Sequence, residues 1–519
     1  MQPSFNTAGP CIPGEHYMLP PERRLARVQQ LIEERKYFTL HAGRQTGKTT
    51  SLRWLERHLN ASGRWRALWI DLEMAREQPD PKVALPVIFD TIDHVLCMRH
   101  PDLARPDAQE IAAALQTPET AVMKYLSRLA SLDEHPLVLL FDEADGLVGP
   151  AMVSFLTQLR YGYIARSQTP FPSSVVLVGQ RQVRDYVLSA EDRKTLSWLG
   201  TSSPFNITAE ATTLGPFTEA EVTELLGQHT VVTGQRFTPE AARTIWELGL
   251  GHPWLTNALA DQIVDRDVAD RSVAITASHV EAAKETIILE RRSHIDSLVA
   301  RLREPRVYRI LGPMLAGTSL PMEPLDDDLS YVLGLGLVRV ERGEIQIANP
   351  IYREVIPRAL TWVQQVSIHQ PTEWYVRADG SLDIPRIMAA WQAFWRKDGH
   401  LAADGFGYRE AGPHLMLMAF LQRIVNGGGR VEREYGLGRG ALDLMIFWKA
   451  ERHVIEVKLR RDTETEAEAL DQVARYLEHA GLGEGWLVMF DLRKELAWTD
   501  KQFVREVEHA RCKIRIVVC

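Results

Sequence analysis

Two carboxylates and an amine, set at fixed spacing near the C-terminus, are the residues here best suited to chemistry on a phosphate ester. In "DLMIFWKAERHVIEVKL" (443–459) two apolar runs flank a short charged turn; the first opens on Asp443, and the second carries Glu456 and Lys458. Residues two apart on a strand share a face, so Glu456 and Lys458 project side by side from a largely apolar element. Charges in such a place are costly unless they pair or hold a metal. Two carboxylates on adjacent strands beside a lysine suit Mg²⁺ or Mn²⁺, which take hard oxygen ligands. Such a cation activates a bound water and neutralises charge on the phosphate, while the lysine positions the nucleophile. Lys449, Arg452, Lys458, Arg460 and Arg461 add a basic strip to a chain of net charge −8, suited to a phosphate backbone. The same residues also fit a purely structural arrangement, with Glu456 and Lys458 a buried salt bridge and Asp443 a strand-end cap.

A second constellation lies far upstream. "HAGRQTGKTT" (41–50) sits between an apolar run and an amphipathic helical stretch. In a loop of this kind, Ala42, Gly43, Arg44, Gln45, Thr46 and Gly47 cradle phosphates with backbone N–H groups at a helix N-terminus. Lys48 reaches the β and γ phosphates, Thr49 ligates Mg²⁺, and Thr50 completes the expected nucleotide-binding set. Ala42 stands where glycine is usual in a Walker A loop. The partner motif is "LVLLFDEAD", in which Asp142 would hold the Mg²⁺ and Glu143 would orient or deprotonate the attacking water. These residues predict ATP binding and hydrolysis.

Together with "SPFNI" (203–207) before "LGPFTEAEV", and "GHPWL" (251–255), the first 360 or so residues resemble the AAA-like ATPases of the STAND-related group. The resemblance implies a helical lid and a winged helix after the nucleotide core. It places Gly251-His252-Pro253 near the nucleotide, with Pro253 a binding residue, and a polar sensor at Gln180. Arg181 and Arg184 stand either as trans-acting arginines or as surface charge, and "HYMLPPERR" (16–24) as an adenine contact or an ordered arm. Downstream, Asp443, twelve residues, then Glu456-x-Lys458 resembles the core motif of the PD-(D/E)XK nuclease superfamily, with Leu442 in place of the proline. That resemblance implies a restriction-endonuclease-like α/β fold, Gln472 and Tyr476 over the active site, Glu410 as a further acidic metal ligand, and Arg439 as a phosphate contact.

The elements that must position these residues follow from periodicity. "YFTLHA", "RALWIDLE", "PLVLLFDEA" and "SSVVLVG" are apolar throughout and bounded by helical stretches, which predicts buried parallel strands of a doubly wound α/β core over 1–215. Thr218 with Glu221 forms a capping box and Pro239 opens a second helix, predicting a helical lid over 216–290. Residues 291–360 read as two helices, a short third helix and a Gly-bounded hairpin, the pattern of a winged helix. Asp326, Asp327 and Asp328 at the start of its third helix would repel phosphate, so the module is expected to pack against the ATPase rather than read DNA. Residues 361–405 read as a connector and 406–519 as the nuclease-like domain.

The chain has 519 residues, too many for one core. Its acidic balance leaves nucleic-acid contact to local patches. Four scattered cysteines, with no CxxC pair, argue against a zinc site or a disulfide framework. The start has no signal-peptide pattern and no run of eighteen apolar residues occurs, so a cytoplasmic protein without a membrane span is expected. Two functions fit. One is an ATPase that regulates a Mg²⁺- or Mn²⁺-dependent nuclease, with DNA the favoured substrate. Bacterial proteins of this architecture are suspected of acting against phage or mobile DNA. The other is an ATP-dependent switch or scaffold whose C-terminal domain binds nucleic acid or a partner without cutting. A homo-oligomer through the ATPase and a protein trigger are open in both.

Overall fold

The apolar runs of the first 180 residues fold into β1 (Tyr37–His41), β2 (Arg66–Asp71), β3 (Leu137–Asp142) and β4 (Ser174–Gly179), joined by β5 (Thr208–Thr213). All pair in parallel, in the order β2-β3-β4-β1-β5. This computed structural model describes residues 2–179, 208–290, 293–302, 304–315, 320–321, 326–367, 375–396, 412–425, 429–437, 440–460, 465–491 and 503–519. Gln180, Arg181, Arg184, "SPFNI", Glu410, Arg439 and Arg461 lie outside the described residues, as do the side chains of Asp443 and Arg460.

The first sheet is covered on both faces, which is why its strands read as unbroken apolar runs rather than alternating ones. Leu139 and Phe141 of β3 point into one core with Phe89, Leu126 and Phe155. Val138 and Leu140 point into the other with Leu25, Leu52 and Leu55. The covering helices are α1 (Glu22–Glu33), α2 (Lys48–Ala61), α3 (Pro81–Arg99), α4 (Ala108–Leu115), α5 (Pro118–Ser131) and α6 (Gly149–Ala165). The sequence TAEATT of β5 carries no strand pattern; its place is set by pairing to β1 at the sheet edge. At the opposite edge, the free side of β2 is capped by side chains. The Trp69 amide donates to Glu56 Oε1 at 2.8 Å, and the Trp69 carbonyl accepts from Arg99.

The α-helices α7 (Glu219–Thr233), α8 (Pro239–Gly249), α9 (Pro253–Asp261), which runs on into a π-helical turn at Gln262–Asp267, and α10 (Ala277–Leu289) follow. The Thr218/Glu221 capping box forms, and Pro239 and Pro253 each occupy a first turn. Next come α11 (Ser293–Arg301), α12 (Pro305–Leu315), the short β6 (Leu320–Pro321), α13 (Asp327–Gly334), and a hairpin of β7 (Val338–Glu341) and β8 (Glu344–Ile347). The acidic triplet has a local role, for Asp326 is the N-cap of α13 and accepts from the amides of Asp328 and Leu329.

The chain divides into two compact units, Met1–His294 with Pro324–Val338, and Ile295–Glu323 with Arg339–Cys519. The second holds α14 (Pro350–Ser367), α15 (Ile384–Phe394), α16 (Gly412–Val425), α17 (Thr465–Ala480) and a six-stranded sheet. The strands β9 (Gly429–Leu437), β10 (Gly440–Trp448), β11 (Glu451–Arg460), β12 (Glu484–Asp491), β13 (Val504–His509) and β14 (Cys512–Val518) lie in the order β13-β14-β12-β11-β10-β9. β10, β11, β12, β14, α16 and α17 match expected elements, whereas the edge strands β9 and β13 were not expected. The stretch expected as a connector contains α15, which packs on this sheet: Trp391 is fully buried against Phe420 and Phe490, and Gln392 donates to the Val518 carbonyl at 2.8 Å.

Candidate functional sites

The phosphate loop leaves the C-terminal end of β1 and turns into α2. The Ala42 amide still bonds the Gly179 carbonyl at 3.3 Å, and Ala42 is not among the residues with positive φ, so a methyl group is tolerated there. The turn is made by Gln45 and Gly47, at φ +56° and +88°; the second is the position where glycine relieves strain. Thr46 Oγ1 closes the loop on the Gly43 carbonyl at 2.9 Å. Arg24 buttresses it from outside, donating to the Thr46 and Gly215 carbonyls. Thr50 accepts from the Cys11 amide at 3.0 Å, and Gly43 lies against the Leu335 carbonyl, where an added Cβ would approach to 3.2 Å. Lys48 is buried and donates to the Ala42 and Gly43 carbonyls at 2.9 and 2.8 Å. Burial pulls its pKa below the ordinary lysine value, opposed by Glu143, Asp142 and Asp145. An ammonium held this way is a poised partner for an anion.

Asp142, almost wholly buried at the end of β3, faces this loop. Its Oδ2 accepts from Thr49 Oγ1 at 2.9 Å and Trp69 Nε1 at 3.3 Å, and its Oδ1 from the Glu143 amide at 3.0 Å. Burial raises the Asp142 pKa, and the Thr49 bond and the Lys48 charge oppose the rise. A hydroxyl and a carboxylate together beside a phosphate loop are the oxygen donors Mg²⁺ takes. Glu143 follows in the left-handed region at φ +51°, an unfavourable conformation for a side-chain-bearing residue. Its carboxylate meets Arg76 at 2.9 Å. Burial, then the Asp145 charge, raise the Glu143 pKa, the direction a general base requires.

The Gly251-His252-Pro253 turn reaches the same loop. His252 caps α9, its Nδ1 accepting the Leu255 amide at 3.4 Å. The ring also bonds the Arg44 backbone; because that bond favours the protonated ring, its N–H is the donor and the Arg44 carbonyl the acceptor. His252 retains some exposed surface, yet desolvation pulls its pKa down to about 4. Its ring sits 4.8 Å from that of buried His294. Pro253 supplies the first turn of α9 and is itself buried.

In the second unit, β10 and β11 form an antiparallel hairpin with Leu444 opposite Ile455 and Trp448 opposite Glu451. Continued by one residue, this register sets the Asp443 backbone opposite Glu456. Glu456 is fully buried, and Lys458 Nζ stands 2.8 Å from its Oε1. Val454 of the same strand packs in the core beneath α17, and strand alternation gives Glu456 and Lys458 that same face. On α17, Gln472 Nε2 donates to the Tyr476 hydroxyl at 2.9 Å, and Tyr476 is buried in this core. Among the described residues, no group of three His, Cys, Asp or Glu side chains could hold a metal. Arg76 and Trp69 reach the phosphate site from other elements and have no local signal beyond the lone tryptophan in "RALWIDLE", whereas Arg24 ends the "HYMLPPERR" segment already singled out.

Residues 388–494 match the model of a family described as a domain of unknown function, DUF8371. No curated protein matches the chain. Among solved structures, the chain is similar to a Walker-type ATPase of Pyrococcus abyssi, with 15% identity, coverage of 67% of this chain and 98% of that one, and a TM-score of 0.47. It is also similar to Cdc6p from Pyrobaculum aerophilum, with 14% identity, 68% and 97% coverage, and a TM-score of 0.36. The third is the Thermotoga maritima RuvB Holliday junction branch migration motor, with 14% identity, 68% and 95% coverage, and a TM-score of 0.32. Among the described residues, no helix is long and apolar enough to cross a membrane.

Proposed function

We propose that this chain binds and hydrolyses ATP and that its nucleotide state regulates a C-terminal, Mg²⁺-dependent nuclease acting on nucleic acid, with DNA the favoured substrate. One observation carries the ATPase reading: Thr49 and Asp142 are in hydrogen-bond contact at the mouth of a loop whose lysine is buried. Thr49 and Asp142 would hold Mg²⁺, which supplies charge neutralisation at the phosphates. Lys48 contributes a fixed positive charge, the loop amides bind phosphate oxygens, and Glu143 accepts a proton from the attacking water. Gln180 is proposed as the sensor and Pro253 as a nucleotide contact, with an oligomer formed through this module.

The nuclease reading rests on the strand position of Asp443, the burial of Glu456 and the neighbouring ammonium of Lys458. Asp443 and Glu456, with Glu410, would hold Mg²⁺ or Mn²⁺. Lys458 stabilises charge on the phosphate, and Gln472 and Tyr476 shape the α17 side. Defence against phage DNA is the biological setting this architecture suggests. The close Glu456–Lys458 pairing favours a second reading, in which the domain binds nucleic acid or a protein trigger without cutting. Incubating plasmid DNA and RNA with Mg²⁺, with and without ATP, separates the two. Cleavage abolished by Lys458→Ala and altered by Glu143→Gln supports a coupled nuclease, whereas intact substrate with wild-type protein supports the switch.

A further inference from the structure

Trp69 contacts the phosphate site through Asp142, and neither the loop nor the Walker B motif calls for it. Both of its backbone polar groups are bonded, the amide to Glu56 at 2.8 Å and the carbonyl to Arg99. Arg99 in turn pairs with Glu56 at 2.8 Å. Its ring is in contact with two guanidinium groups, Arg53 of α2 at 4.7 Å and Arg99 of α3 at 4.9 Å from the ring centre. In this arrangement the indole Nε1–H donates to Asp142 Oδ2, 3.3 Å away.

We infer that Trp69 is a positioning residue for the cation-bearing carboxylate, fixing the plane of Asp142 so that its oxygens are presented to Mg²⁺ with the nucleotide. The inference rests on the ATPase reading and goes beyond it. Of the two donors to Oδ2, Thr49 is itself assigned to the cation, so Trp69 is the donor with no other partner to serve. A buried carboxylate without such a donor can rotate away and gains little from water, because Asp142 is nearly inaccessible. The indole offers a donor with no acceptor capacity, so it cannot reverse its role as a hydroxyl could. Because Arg53 rides on the helix that begins at Lys48, the clamp also ties the indole to the phosphate loop.

The test is a Mg²⁺ titration of fluorescent ATP analogue binding, with a parallel measurement in EDTA and a melting curve for each variant. Trp69→Phe and Trp69→Leu remove the donor, and two variants are used so that misfolding of one leaves the other. The expected result is a rise of about fivefold in the half-saturating Mg²⁺ concentration, with binding in EDTA unchanged. Trp69→His, which keeps a ring N–H, is expected to recover part of the Mg²⁺ response. Donor-less folded variants with the wild-type Mg²⁺ response overturn the inference, as does a histidine variant no better than phenylalanine. Wild-type protein that binds no nucleotide in either condition overturns instead the ATPase reading beneath it.

Discussion

Replacing Gly251 with alanine tests whether the lid turn is a structural part of the nucleotide site. The residue sits at φ +72°, directly after Leu250 at φ +45°, so two successive left-handed residues make this turn. Placing an alanine there costs about 1–2 kcal/mol for the backbone alone. The added Cβ would also fall 1.8 Å from the Phe217 carbonyl oxygen and 2.9 Å from its amide nitrogen, both backbone atoms that cannot rotate aside. The turn must therefore move and strain the bond from the Phe217 amide to the Gly251 carbonyl, now 2.8 Å, at a further cost of about 1 kcal/mol. The sum is about 2–3 kcal/mol, or about 4–12 °C in melting temperature at the 2–4 °C per kcal/mol of a domain this large. His252 and Pro253 move with the turn, so the His252 bond to Arg44 weakens and nucleotide affinity falls too. Differential scanning fluorimetry with and without ATP reads both effects. A Gly251→Ala protein melting within 1 °C of wild type (about 0.3–0.5 kcal/mol), with unchanged stabilisation by ATP, would refute the reasoning.

Lys48→Ala is expected to abolish ATP binding in isothermal titration, because it removes the buried ammonium that lies on the loop carbonyls of Ala42 and Gly43. Glu143→Gln should leave binding intact while lowering turnover by about 10²–10⁴-fold in a phosphate-release assay. Glu143 must be deprotonated to act, and burial raises its pKa, so the acid limb of the pH–rate profile should lie above the ordinary glutamate value. Arg76→Ala removes a nearby positive charge that opposes this rise, and should move the limb to still higher pH. Lys458→Ala removes the ammonium 2.8 Å from the carboxylate of fully buried Glu456, and chemical denaturation should show a loss of about 2 kcal/mol, discounted because the lysine is partly exposed.

The amino-acid sequence by itself determined what local chemistry can specify. The Gly-Lys-Thr ending of the loop, the aliphatic run closing on Asp142 and Glu143, the Thr218 cap and the Glu456–Lys458 alternation each need only neighbouring residues, so each is legible in the sequence. Core strands were legible for the same reason, since burial on both faces leaves an unbroken apolar signature. The edge strands β5, β9 and β13 were not, because an edge residue is placed by its partner strand and β5 carries only polar and small side chains. The tertiary structure alone decided that Arg76 holds Glu143, that Trp69 donates to Asp142 and that His252 reaches the Arg44 backbone. Those contacts join elements 67 and 73 residues apart in the first two cases. Over such separations, side chains meet only because a sheet and its helices have closed around a common core, which no local pattern records.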